Sequence, residues 1–217
     1  MAKKILLFIV LAGTIILSSC SSTIYTAKEF KRMKKKHQKV AVLPFDVNIS
    51  SGSRATTANV IFRKNEQETG TLIQKEIIQK LIEKKDKYSL TVLDAEKVNK
   101  VLEDNNISYF DIYHRDIKEL GMMLRVDAVI TGKIISPKRI TPDIMEVNDA
   151  PDVSVKVAIT DIYMKKDMWR YEEMVPYEKG GSRNGLIKII EKKLVKKFPY
   201  KIVAQKKSKQ KKSKQKN

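Results

Sequence analysis

The chain has 217 residues, with 44 Lys and Arg against 25 Asp and Glu, a formal net charge of +19 and a single cysteine, Cys20. That length holds one ordinary hydrophobic core and requires no second. A lone cysteine excludes a disulfide framework, a zinc-thiolate cluster and a dithiol redox pair, while the cationic surplus predicts attraction to polyanions.

The first predicted element is an address. Lys3 and Lys4 precede an apolar run over 5–16 that closes on Leu17-Ser18-Ser19-Cys20. A basic start, about a dozen apolar residues and small residues at the end are the signature of a secretory signal, too short to span a bilayer comfortably. The order resembles a bacterial lipoprotein signal with its lipobox. The resemblance implies removal of residues 1–19 and acylation of Cys20; an uncleaved anchor helix is the alternative. Ser21 is compatible with export to the outer membrane, where Asp would imply inner-membrane retention in enteric-type sorting.

Two basic segments hold much of the charge. Residues 20–38 read as a lipidated basic tether, in which Lys28, Lys31, Arg32, Lys34, Lys35 and Lys36 lie around apolar Phe30 and Met33, with Lys39 following. Residues 201–217 read as a lysine-rich tail, carrying Lys206, Lys207, Lys209, Lys211, Lys212, Lys214 and Lys216 in a repeated Lys-Lys-Ser-Lys-Gln. From residue 206 on it has no apolar side chain with which to offset ordering entropy, so disorder is expected. Lys31, Arg32, Lys34, Lys35 and Lys36 together with those tail lysines are the candidate anionic-surface residues. Each lysine near an anionic surface contributes about 1 kcal/mol at low screening. Lipid headgroups, lipopolysaccharide phosphates or peptidoglycan carboxylates are the matching partners, and a solvated, merely solubilising tail is the plain alternative. Nucleic acid is not expected as a partner of an exported chain.

Between these ends, residues 39–200 read as one domain. Val40-Ala41-Val42-Leu43-Pro44-Phe45 suits a buried strand ending at the proline. Residues 46–65 read as a polar loop, and 66–84 as an amphipathic helix with Ile73, Ile77 and Leu81 at spacing four. A strand over 88–93 leads to Asp94, a helix cap ahead of Val98, Val101 and Leu102, with Asn105 and Asn106 ending that helix. A third helix is predicted over 114–124 and an apolar strand over 127–135. Val153, Val155, Val157 and Ile159 alternate with Ser154, Lys156 and Thr160, a half-buried strand turned back at Lys165-Lys166-Asp167 into Met168-Trp169-Arg170-Tyr171. A closing helix starts near Ser182, and Pro199 stops it. The order predicts an α/β (α+β) fold: one mixed sheet of about five strands with helices packed on it, then a C-terminal hairpin and a closing helix.

The Val40-to-Phe45 strand, Val92-Leu93-Asp94, and Glu119-Leu120-Gly121 before Val126-Asp127-Ala128-Val129-Ile130-Thr131-Gly132 resemble a group of envelope proteins. The group comprises curli-secretion lipoproteins, outer-membrane lipoprotein activators of penicillin-binding proteins, and the amino-terminal domain of the Tol-Pal translocation protein. The resemblance covers residues 38–200 and marks fold more than activity. It implies a non-enzymatic, periplasm-facing, outer-membrane lipoprotein that binds an envelope protein partner in assembly or secretion, with self-association compatible. One alternative is a curli-type secretion channel, which requires each protomer to donate β-strands of about 9–11 residues. Of the two loops available, 46–65 alternates only briefly at Val47 and Ile49 before a Ser-, Gly- and Thr-rich run, and 136–152 carries Pro137, Pro142 and Pro151 with Asp143, Glu146, Asp149 and Asp152, which oppose such strands.

A cell-wall enzyme is the second alternative, and the motifs argue against it. No nucleophile elbow and no His-Glu-x-x-His is present, although two carboxylates of a glycosidase need no motif. Asp143, Glu146, Asp149 and Asp152 lack the calcium-loop spacing and read as a solvated acidic loop. Gly180-Gly181-Ser182-Arg183-Asn184-Gly185 lacks the P-loop ending and reads as a turn and helix cap. His37 and His114 read as structural or surface residues, so no catalytic residue, metal ligand or cofactor is assigned.

Overall fold

The computed structural model describes residues 22–49, 56–136 and 152–201, with the side chains of 56–59 left aside. The signal segment with Cys20, the loop acids Asp143, Glu146 and Asp149, and the tail lysines from Lys206 lie outside the described residues. In chain order the elements are β1 (Thr23–Thr26), α1 (Phe30–Met33), β2 (Lys39–Val42), β3 (Asp46–Ile49), α2 (Thr56–Ile82) and β4 (Thr91–Val92). There follow α3 (Ala95–Asp104), α4 (Ile117–Leu124), β5 (Ala128–Ser136), β6 (Val153–Asp161), β7 (Lys166–Val175), α5 (Tyr177–Gly180) and α6 (Arg183–Ile190). A π-turn over Glu191–Val195 continues α6.

The fold is a mixed α+β sheet with helices on it, as expected, but seven strands are described rather than about five. The sheet runs β1-β7-β6-β5-β2-β4, with β3 also beside β5. β2 pairs parallel with β4 and β5, β3 pairs parallel with β5, and the ladders β5/β6, β6/β7 and β7/β1 are antiparallel. β2 and β3 share one edge of β5, interrupted at Leu43-Pro44-Phe45, because proline cannot donate to a ladder. There Phe45 lies over Gly132, whose absent Cβ would fall 2.0 Å from the ring.

Alternation along the central strands serves two cores. Val40, Val42, Ala128, Ile130 and Ile134 face a core with Ile73, Ile77 and Leu81 of α2 and Leu186, Ile190 and Leu194 of the closing helix. Ala41, Leu43 and Val129 face a second core with Val98 and Leu102 of α3 and Leu120 and Leu124 of α4. Helices therefore cover both sides of β2 and β5. The outer strands keep one polar side, where Lys156 pairs with Glu172 at 3.4 Å and Arg170 with Glu172 at 3.0 Å.

Local chemistry places the helices. Asp94, Asp116 and Ser182 cap α3, α4 and α6, each side chain accepting from a first-turn amide. Gly185 is required because a Cβ there would meet the Lys179 carbonyl oxygen at 1.9 Å.

Several sequence expectations are corrected. Residues 46–49 form a strand, not loop: Asp-Val-Asn-Ile buries Val47 and Ile49 against β5. α2 starts at Thr56, ten residues before the expected 66, and only six residues remain between β3 and α2. Its first turns expose Val60 and Ile61, so no apolar stripe announces them. The strand expected over 88–93 shrinks to Thr91–Val92, and the β6–β7 turn falls before Lys166 rather than across Lys165-Lys166-Asp167. The boundary at residue 39 also shifts: β1 pairs with β7, and Ala27 and Phe30 are buried, so the packed unit begins at Thr23.

Candidate functional site: a basic corner bolted by a buried network

α1 is a single turn whose hydrophobic side carries Phe30, 6% exposed, into the main core. Its other positions, Lys31 and Arg32, are exposed, as are Lys35 and Lys36 in the turn that follows. Lys34 differs. Its ammonium turns inward and donates to the carbonyl oxygens of Pro199 at 2.6 Å and Lys201 at 3.0 Å, and burial lowers its pKa. Of the five N-terminal cations read as surface-binding, four point outward and the fifth ties the N-terminal segment to the C-terminal stem.

Aromatic packing completes that tie. The Phe30 ring meets Tyr200 edge-on at 5.4 Å, Tyr200 lies 5.3 Å from Phe198, and Phe198 meets Tyr88 at 4.9 Å. Lys201 bridges to Tyr88, and the Ser89 amide donates to the Tyr200 carbonyl. The last described residue, Lys201, therefore lies beside α1, so the point from which the lysine-rich tail continues in sequence adjoins the basic N-terminal segment.

Beneath this corner lies a polar network that sequence reasoning missed. The Tyr200 hydroxyl and His37 Nδ1 are 2.5 Å apart, and His37 Nε2 and Asp161 Oδ2 are 2.7 Å apart. Asp161 Oδ1 accepts from the amides of Tyr163 at 3.0 Å and Met164 at 2.7 Å, which sets the β6–β7 turn. With the carboxylate as acceptor, Nε2–H donates to Asp161 and the Tyr200 O–H donates to Nδ1. His37 is 3% exposed, Asp161 0% and Tyr200 0%. Burial, then the Asp161 charge, raises the Tyr200 pKa.

The order hydroxyl, imidazole, carboxylate is that of an activated nucleophile. Here it cannot act as one, because the hydroxyl is sealed in the core and neither of the two large grooves is lined by any of the three residues. Its effect is mechanical. His37 just ahead of β2, Asp161 at the end of β6 and Tyr200 in the C-terminal stem are locked together under the basic corner. The other histidine, His114, is exposed at the end of a short turn over Ile112–His114, so of the two only His37 is structural.

One groove of about 540 Å³ opens near Pro44 between α2, α3 and residues 106–112, lined by Asn99, Glu103, Tyr109 and Phe110 among others. The Tyr109 hydroxyl is spent on the Phe45 carbonyl at 2.6 Å and the Val47 amide at 3.0 Å. A second, of about 600 Å³, runs beside β4 under Leu81, Ile82, Tyr88 and Leu90. Among the described residues no three His, Cys, Asp or Glu side chains gather as a metal site, and no described helix is long and apolar enough to cross a membrane.

No protein-family model matches the chain, and no curated protein matches it. Among solved structures it is similar to the LpoB C-terminal domain from Salmonella enterica (8% identity, 64% of this chain and 82% of that one, TM-score 0.35). It is also similar to lipoprotein GNA1162 from Neisseria meningitidis (18% identity, 73% and 96%, TM-score 0.37). A third likeness is to a PelC dodecamer from Paraburkholderia phytofirmans (13% identity, 80% and 96%, TM-score 0.37).

Proposed function

We propose that the chain is an envelope lipoprotein, acylated at Cys20 in the outer membrane and facing the periplasm, that works as a non-enzymatic protein-binding accessory in envelope assembly or secretion. Its basic corner rests on an anionic envelope surface. The observation that carries this reading is that the stem of the C-terminal segment, Pro199 to Lys201, is fastened beside the basic N-terminal segment. Lys31, Arg32, Lys35 and Lys36 are exposed on a segment anchored by the buried His37 network, and the stem of the lysine tail is fastened beside them through Lys34 and Tyr200. A polybasic patch adds the second signal that a lipid chain needs for stable attachment.

The test is flotation of the exported protein with vesicles of phosphatidylethanolamine and phosphatidylglycerol. Replacing Lys31, Arg32, Lys35 and Lys36 by Gln, or deleting the tail from Lys206, weakens binding at low salt and flattens its salt dependence. Unchanged binding in both would refute the anionic-surface role. Cys20→Ala abolishes palmitate incorporation and releases the chain; label retained in that variant would contradict the anchor.

A further inference from the structure

We infer that β1 is the bilayer-facing edge of the domain, seated in the headgroup layer with Ile24 and Tyr25 as its interfacial side chains. The inference rests on the acylation of Cys20 proposed above. Only Ser21 and Ser22 separate that residue from Thr23, the first residue of the strand. Three residue steps span at most about 10–11 Å even when fully extended. Ser22 is itself held to the fold, its hydroxyl accepting from Lys193 Nζ at 3.1 Å. The hydrocarbon core is about 30 Å thick and the whole bilayer about 40–45 Å, which leaves roughly 5–8 Å of headgroup on each side. An acyl chain buried at Cys20 therefore leaves no room for water-filled separation. The edge of the sheet lies at the membrane surface rather than at the end of a long leash.

The chemistry of that edge fits the zone it would occupy. All four β1 side chains are exposed, with Ile24 at 41% and Tyr25 at 43%. Among the described residues β1 is the end of the sheet, and an edge strand showing an aliphatic and an aromatic side chain is a liability in water unless something covers it. Tyr and Ile flanked by cations are what an interface accepts, the ring at headgroup depth and the charges on phosphates. Arg170 lies over the Tyr25 ring at 5.4 Å, Lys193 stands beside Ser22, and Lys31 and Arg32 follow directly in α1. The acids beside the edge are paired, Glu29 with Lys166, Glu172 with Lys156 and Arg170, and Glu173 with Lys193, so Arg170 and Lys193 are charge-compensated and the cations offered to phosphates are Lys31 and Arg32. No unpaired carboxylate among these opposes an anionic leaflet.

Tryptophan reporters in the exported, full-length chain test the placement. Tyr25→Trp and Val60→Trp are each reconstituted in phosphatidylethanolamine and phosphatidylglycerol vesicles with and without bromine on the acyl chains. Val60 is 69% exposed on α2, and Trp169, 3% exposed, is a background common to both. Tyr25→Trp is expected to lose fluorescence to the brominated lipid and Val60→Trp to keep it. Ile24→Trp supplies the same reading if circular dichroism shows that Tyr25→Trp disturbs the fold. Equal responses at 25 and 60, in protein whose intact mass shows an acylated Cys20, overturn this inference and leave the anchor standing. Loss of the difference because the edges pair between two copies, seen as a cross-linked dimer, overturns it as well. An unmodified Cys20 overturns both.

Discussion

Tyr200→Phe, Asp161→Asn and the two combined test whether the buried network acts as one unit. Tyr200→Phe removes the hydroxyl 2.5 Å from His37 Nδ1 and leaves a buried acceptor unpaired, a cost of about 1–3 kcal/mol. Asp161→Asn preserves shape and a carbonyl oxygen for the Tyr163 and Met164 amides, but replaces the charged acceptor of Nε2–H, worth about 1.5–3 kcal/mol. Both changes act through the same imidazole. Once one bond is gone, the ring is free to turn and the other bond is already weakened. The double variant is therefore expected to fall short of the sum by about 1 kcal/mol. Urea unfolding of the mature chain carrying Cys20→Ala, followed by circular dichroism and by the buried Trp169, measures all four corners of the cycle. Additivity within about 0.5 kcal/mol would refute the idea of a single bolt. Neither substitution removes a surface cation, so weaker vesicle binding by Tyr200→Phe would report loss of positioning rather than of charge.

Two further outcomes follow from packing and titration. Gly132→Ala drives a methyl into the Phe45 ring, where overpacking costs about 1–3 kcal/mol; the companion Gly132→Ala, Phe45→Leu recovers part of it in the same urea assay. Burial raises the Glu66 carboxyl above its ordinary 4.5 although it accepts from the Ile49 amide at 2.8 Å. A group whose native value is raised holds its proton more tightly in the fold, so its contribution is complete below 4.5 and is lost as pH rises through the raised value. Glu66→Gln is expected to flatten that part of the stability profile, and an unchanged slope in urea midpoints from pH 4 to 7 would contradict it.

What local pattern encodes was readable. Alternation in Val153, Val155 and Val157 and the apolar run from Val129 to Ile130 marked central strands, and Asp94 and Ser182 marked helix starts by the chemistry of their caps. The network was not readable, because His37 lies 124 residues from Asp161 and 163 from Tyr200, and no period links such distances. Surrounded by seven cations, His37 looks like part of a solvated stretch; the signal present was Phe30 and Met33, apolar residues with no reason to sit in a free tether. β1 hid for a different reason. All four of its side chains are exposed, so Thr-Ile-Tyr-Thr shows none of the burial alternation by which strands are found, and only its ladder to β7 defines it. The same exposure gives the strand its meaning. Among the described residues the strand buries neither face; with Cys20 acylated as proposed, three residues before it, its partner lies outside the protein, and the lysines that follow are no longer a spacer between membrane and domain but the rim of the surface where the two meet.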